Sequence, residues 1–121
     1  MRADFNYLDY PMGIEIRNRL LHERGCQCAK CGAAPLPYNR AEMHHRNPRK
    51  KAFTLDIRTL HNLVESMPVR TAKSVVRREA AKCVLLCDCC HKEVHQTLDP
   101  RFFDRDYLES LPKGSKLDMV A

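Results

Sequence analysis

The chain has 121 residues, a formal net charge of +6 and seven cysteines, and these numbers bound what it can be. Its length is that of one small domain, with a core thin enough to benefit from a bound metal. It contains no run of 18 apolar residues and no basic N-terminal region followed by an apolar run, so we expect a soluble, non-secreted, cytoplasmic protein without a membrane partner. In a reducing cytosol, paired cysteines favour zinc over disulfides.

The positive charge is concentrated in the middle of the chain. Residues 40–82 contain eleven Lys and Arg against four Asp and Glu, a net charge of +7, whereas residues 1–39 sum to +1 and residues 83–121 to −2. A basic block of this kind indicates a polyanionic partner such as DNA, although a solvated basic face has the same composition.

The first half of the chain predicts an arm, a helix, a cysteine turn and a strand. Residues 1–13 are expected to form an N-terminal arm. Apolar residues at helical spacing then predict a helix over 14–24, which Gly25 would end. Cys28-Ala-Lys-Cys31-Gly has the form of a zinc knuckle, and its glycine permits the tight turn. Residues 41–45 are typical of a strand, which Pro48 would close.

The second half predicts helices around one buried strand. Apolar residues at four-three spacing predict a helix from Phe53 to Met67, ended by Pro68, and Thr71 is suited to cap a second one. The two helices form a helical insertion at about 54–81, and the second of them is predicted over 71–82. A strand is predicted over 83–86 and a helix over 88–97. Residues 99–121 are predicted to form a short helix with a polar tail from Lys113.

Four of the seven cysteines form two Cys-x-x-Cys pairs. One pair is Cys28 with Cys31, and the other is Cys87 with Cys90, with residues 32–86 between them. Each pair can hold one side of a tetrahedral zinc, and four thiolates without a carboxylate indicate a closed, structural site. The remaining cysteines are expected to be free thiols: Cys26, Cys83 and Cys89.

Four histidines predict a second and different metal site. His91 and His95 are four residues apart on a predicted helix, so they share one face and can chelate one ion. His44 and His45 are neighbours on a predicted strand, and their side chains must point to opposite faces. One of this pair is therefore expected to bind the metal while the other activates water.

These motifs together resemble those of a known family. The run Met43-His-His-Arg-Asn-Pro48, with Cys87-x-x-Cys90-His91-x-x-x-His95, is similar to the HNH endonucleases, in particular to the small phage and bacterial members with a four-cysteine zinc site. The resemblance covers about residues 16–97. It implies a small α+β fold built on the ββα-metal motif, in which a hairpin carrying the histidine pair is crossed by the helix carrying the last ligands.

The resemblance also implies a role for each histidine. His44, His91 and His95 would hold a catalytic divalent cation (Mg²⁺, Mn²⁺, Ni²⁺ or Zn²⁺), and His45 would be the general base in hydrolysis of DNA phosphodiester bonds, by nicking or double-strand cleavage. In the family, an Asn about nine residues before the first helix histidine steadies the loop that bears the base. Lys82 stands at that place here, and the nearby alternatives are Asn47 and Asn62.

The basic residues after the histidine pair are candidates for DNA phosphate contacts: Arg46, Arg49, Lys50 and Lys51. Such contacts position a duplex without reading its sequence. Two other interpretations remain open. The chain could be a non-catalytic, zinc-stabilised module that binds DNA or a protein, or both ligand sets could hold structural zinc. A protein partner and the oligomeric state are not indicated by the sequence.

Overall fold

Two short strands pair at the centre of the structure, a computed structural model that describes residues 10–112. Strand β1 (Ala41–His45) runs antiparallel to β2 (Cys83–Cys87), with Ala41 opposite Cys87 and His45 opposite Cys83. Both strands lie where the sequence predicts them, and β2 extends one residue further. The domain is therefore a small α+β fold, as expected.

Five helices surround this sheet within the described residues. They are α1 (Pro11–Glu23), α2 (Ile57–Ser66), α3 (Val69–Ala80), α4 (Asp88–Thr97) and α5 (Arg105–Glu109). Single 3₁₀ turns precede and follow β1, at Tyr38–Arg40 and Pro48–Lys50. None of the helices between residues 10 and 112 combines the length and the apolar character that a bilayer crossing requires.

The two faces of the sheet pack against different helices. Because strand side chains alternate, Leu86 lies on the face that packs against α4 and the segment after it, in a cluster with Val94 and Phe103. Cys83 lies on the other face and packs against α1 to α3, in a cluster with Leu20 and Leu60. Neighbouring residues of β1 therefore face two separate environments.

The segment between the strands forms a helical hairpin that returns to its starting point. Helices α2 and α3 bury Leu60, Val76 and Ala80 against α1. The backbone N–H of Arg46 donates to the carbonyl oxygen of Lys82 at 3.0 Å, which brings the two ends of the segment together. The insertion is thus accommodated without disturbing the strand pairing.

Helix boundaries differ from the predictions by a few residues. Helix α1 begins at Pro11, within the predicted arm, because proline is well suited to the first helical turn. Helix α2 begins only at Ile57. Helix α3 begins at Val69 rather than after Thr71. Residues 1–9 of the predicted arm and the predicted polar tail from residue 113 lie outside the described part of the chain.

Gly25 ends α1 as predicted, and a second glycine near the start of the helix allows close packing. Gly25 has φ +68°, a conformation that glycine adopts without strain. At Gly13, an added Cβ would overlap the carbonyl oxygen of Ile57. Only a residue without a side chain permits this approach of α1 to α2.

Candidate metal centre

The four predicted zinc-binding cysteines come together in the structure. The Sγ atoms of Cys28, Cys31, Cys87 and Cys90 all lie within 4.8 Å of one another, and those of Cys31 and Cys87 are 3.9 Å apart. No carboxylate belongs to this cluster. Four thiols at these separations could hold a structural metal ion, and four thiolates are a ligand set typical of zinc.

Backbone hydrogen bonds hold the first cysteine pair in a tight turn. The N–H of Gly32 donates to the carbonyl of Cys28 at 3.0 Å, and Gly32 has φ +79°. The N–H of Cys31 points to the Sγ of Cys28 at 3.5 Å. Helix α4 begins in a similar manner, because the N–H of Cys90 points to the Sγ of Cys87, the residue that caps this helix, at 3.4 Å.

The thiols of this cluster differ in pKa. Burial opposes ionisation of Cys28, but the backbone amides of Cys31, Cys87 and Lys30 outweigh it and lower its pKa to about 6. Burial and the neighbouring thiols raise the pKa of Cys90. A thiolate is thus already favoured at one position of the cluster, and a divalent cation would favour it at the others.

Three of the four predicted histidines form the second cluster. Ligand atoms of His44, His91 and His95 lie within 4.8 Å of one another. On α4, the Nε2 atoms of His91 and His95 are 3.1 Å apart. From β1, the His44 ring meets that of His95 edge-on, with 5.1 Å between the ring centroids. A strand and a helix therefore present imidazole nitrogens to one point.

A backbone carbonyl fixes the orientation of His44. The carbonyl oxygen of Phe102 can only accept, so the His44 Nε2 atom, 2.6 Å away, carries the proton and donates it. In the neutral ring the lone pair is then on Nδ1, which is buried without a hydrogen-bond partner. A buried nitrogen lone pair without a partner is costly, and a metal ion would satisfy it.

The environment favours the neutral form of His44 and His91, which a metal ligand requires. Burial lowers the pKa of His44 to about 4, and the charges of His95, His91 and Arg46 act in the same direction. Burial, His95 and Lys51 lower the pKa of His91. His44 is only 1% exposed, whereas His95 is exposed. A cation held here would be covered on one side and accessible on the other.

His45 lies on the opposite face of β1, as strand alternation predicts. Its Nε2 atom is 2.8 Å from Oε2 of Glu79 on α3, and the two side chains are only 6% and 3% exposed. Burial raises the pKa of Glu79, but hydrogen bonds from Lys82, the Ala52 amide and His45 outweigh it and lower it to about 2. His45 is therefore separate from the histidine cluster and paired with a carboxylate.

The four predicted DNA-contact residues have different surroundings. Arg46 donates to the carbonyl of Arg101 at 2.9 Å and lies 3.7 Å from Asp104. The guanidinium of Arg49 lies 5.9 Å from the ring centroid of Tyr107. Lys50 lies 3.8 Å from Asp106. Lys51 makes no ion pair within residues 10–112, and after burial and His95 its charge is a further cause of the lowered pKa of His91.

Two features of the site escaped the sequence-based prediction. Glu79 was not singled out, although a carboxylate between Val76 and Ala80 on the buried face of a helix is a signal that can be read from the pattern. The carbonyl of Phe102 could not be predicted, because every residue of the sequence has a backbone carbonyl.

Of the thiols predicted to be free, Cys83 is buried, with its pKa raised to about 11 by burial and by Glu79.

No family model, no curated protein and no solved structure matches this chain. The chemistry of the two clusters is therefore inferred from their own residues.

Proposed function

We propose that this protein is a metal-dependent endonuclease of the HNH type, which hydrolyses DNA phosphodiester bonds in the cytoplasm of a bacterium or a phage-infected host. One observation carries the proposal. Three imidazoles from a strand and a helix converge, with the His44 lone pair buried and unpartnered and the His95 side exposed. A three-ligand site with an accessible position is the arrangement of catalytic rather than structural metal sites.

His44, His91 and His95 would hold a divalent cation, which would stabilise charge on the phosphate and on the departing 3′-oxygen. His45 would take a proton from the water that attacks phosphorus in line. A histidine suits this role because its ordinary pKa lies near neutral pH. The products expected for this family are a 5′-phosphate and a 3′-hydroxyl.

The cysteine cluster would contribute stability rather than chemistry. Cys28 and Cys31 follow α1, whereas Cys87 and Cys90 begin α4, so a zinc ion held by all four would join the two helices. The ion pair of Lys30 with Glu93 connects the same two regions. This zinc would hold in place the helix that carries two of the three histidines.

The basic residues after β1 would contact DNA phosphates beside the cation. Lys51 is the strongest candidate, because it lacks an ion-pair partner among the described residues and its charge is felt at His91. The surface contacts of Arg49 and Lys50 are weak enough to exchange for a phosphate. Arg46 is held by the segment between α4 and α5 and is better placed to order that segment.

A second candidate function is a zinc-stabilised module that binds DNA or a protein without cleaving. The burial of His45 favours it, since a side chain that is 6% exposed and paired with Glu79 resembles a structural ion pair. In that case the histidine cluster would bind metal only to hold β1 against α4.

Cleavage of supercoiled plasmid in the presence of Mg²⁺, Mn²⁺ or Ni²⁺ distinguishes the two functions. The nuclease should give nicked or linear DNA that depends on the cation, and both His45→Ala and His95→Ala should lose this activity. An exposed histidine outside the clusters supplies the control, His22→Ala, which should cleave normally. Plasmid that is bound but stays supercoiled with every cation would contradict the nuclease and support the binding module.

A further inference from the structure

The carboxylate of Glu79 contacts three parts of the structure. Its Oε2 atom accepts from the Nε2 of His45 at 2.8 Å and from the N–H of Ala52 at 2.9 Å. Its Oε1 atom accepts from the Nζ of Lys82 at 2.7 Å. A single buried side chain of α3 thus connects β1, the loop after it and the residue before β2.

This arrangement is more than packing requires. A buried carboxylate is costly unless donors satisfy it, and here three donors do so. The neighbouring positions on the inner face of α3 are filled by the apolar residues Val76 and Ala80. The polar contacts of Glu79 are therefore the property that distinguishes it.

Glu79 determines which nitrogen of His45 is available. An ionised carboxylate only accepts hydrogen bonds, so the Nε2 atom of His45 must carry the proton. In the neutral ring, Nδ1 keeps the lone pair and is the atom that can accept a proton. This relation between a carboxylate and a histidine fixes both the tautomer and the ring orientation.

Lys82 holds the loop that follows His45. Its Nζ atom donates to the carbonyl of Lys50 at 2.9 Å as well as to Glu79. Its own carbonyl accepts from the N–H of Arg46 at 3.0 Å. The segment from Arg46 to Lys50 is thus held at both ends by one residue, at the place where the resembling family has its loop-steadying Asn.

We propose that Glu79 and Lys82 are positioning residues of this nuclease. Glu79 presents His45 in the tautomer whose Nδ1 accepts a proton, and Lys82 holds the phosphate-contacting loop by the carbonyl of Lys50. The inference rests on the proposed function, and it assigns the role of the missing Asn to a helix of the insertion rather than to Asn47 or Asn62. Asn47 is engaged locally, since its side chain accepts from the N–H of Arg49 at 3.0 Å.

The experiment combines the tautomer of His45 with steady-state cleavage. The variants are Glu79→Gln, which keeps the shape of the side chain, and the double variant Glu79→Gln with Lys82→Met, which also removes the cation that Glu79 pairs with and serves if the single variant folds poorly. Glu65→Gln is the matched control, because this exposed carboxylate pairs with His61 on α2. Ring ¹⁵N shifts of zinc-loaded protein report the protonated nitrogen of His45, and an oligonucleotide duplex gives kcat and KM.

In the native protein the His45 ring should be protonated on Nε2. Glu79→Gln should shift the ring towards a mixture of tautomers and lower kcat by about 10- to 100-fold, with KM and cation affinity nearly unchanged. Variants that fold and retain both the native ring shifts and the native kcat would overturn this inference alone. A native protein that cleaves no DNA with any cation would overturn the proposed function, and the positioning role with it.

Discussion

The two candidate metal clusters of this domain differ in the type and the number of their ligands. The cysteine cluster consists of four thiols, and two of them, Cys28 and Cys90, are buried. The histidine cluster consists of three imidazoles, with one ring fully covered and another exposed. The first suits a tightly held ion, and the second an ion that exchanges and has room for another ligand. On the proposed function, this domain would separate stability from reactivity by the type of ligand.

Removing one thiol should have the largest effect. Cys90→Ser should lose the zinc and unfold or aggregate, because structural zinc contributes roughly 10–16 kcal/mol in zinc-finger peptides, as much as the whole stability of a typical domain. Elemental analysis of the washed protein and circular dichroism measure the two consequences. Cys89→Ser, at the exposed neighbouring thiol outside the cluster, should leave both unchanged. A native protein without zinc, or a stable Cys90→Ser, would remove the distinction between the clusters.

Removing one imidazole should cost the exchangeable ion rather than the zinc. His44→Ala and His95→Ala should weaken Mn²⁺ or Ni²⁺ binding by more than about 100-fold in calorimetry, because each loses a direct ligand. His45→Ala should keep the cation and lose roughly 10²- to 10⁴-fold in cleavage. If instead His45→Ala loses the cation while His44→Ala keeps it, the roles of the two neighbours are reversed.

The loop cations should affect DNA binding without affecting the metal. Replacing Arg49, Lys50 and Lys51 by Ala should flatten the dependence of log K on log salt by about one for each residue that contacts a phosphate. The control replaces three exposed cations of α3, at Arg70, Lys73 and Arg77, and changes the net charge equally. Equal slopes for the two triple variants would mean that overall charge, and not the loop, holds the DNA.

Lowering the pH should give the smallest effect, a loss of stability through protonation of His44. Its pKa is lowered in the fold to about 4 from an ordinary 6.5, so the unfolded chain binds the proton first. With the exchangeable cation chelated, stability should fall as the pH is lowered from 6.5 to 4, and then level off for this group. Denaturant titrations at several pH values should show this dependence in the native protein. The His44→Gln variant should lack the part that His44 contributes, which corresponds to the uptake of less than one proton on unfolding.

The local parts of the structure were predictable from the sequence. Strand β1 and helix α4 lie where the pattern indicates, because alternation and four-residue spacing are short-range signals. The same signals predicted the grouping of His91 with His95 and the separation of His44 from His45. The predicted start of α2 was too early because Phe53 fits the helical period, whereas in the structure it packs on the core from a loop.

The contacts that orient the histidines were not predictable. His44 is oriented by a carbonyl 58 positions away, and His45 by a carboxylate 34 positions away. Both partners are brought in by tertiary packing, which no single window of sequence encodes. Glu79 could have been noted as an acidic residue on a buried helix face, but its partner depends on how α3 packs against the sheet.

Helix α4 carries ligands of both clusters within a single ten-residue element, with Cys90 directly before His91. An ion that ordered this helix at one cluster would therefore influence the other. Thermodynamic linkage would make this influence reciprocal: the factor by which zinc at the cysteines strengthened cation binding at the histidines would equal the factor by which that cation strengthened zinc binding. Two ions of different chemistry would thereby act as effectors of each other through the backbone of one helix.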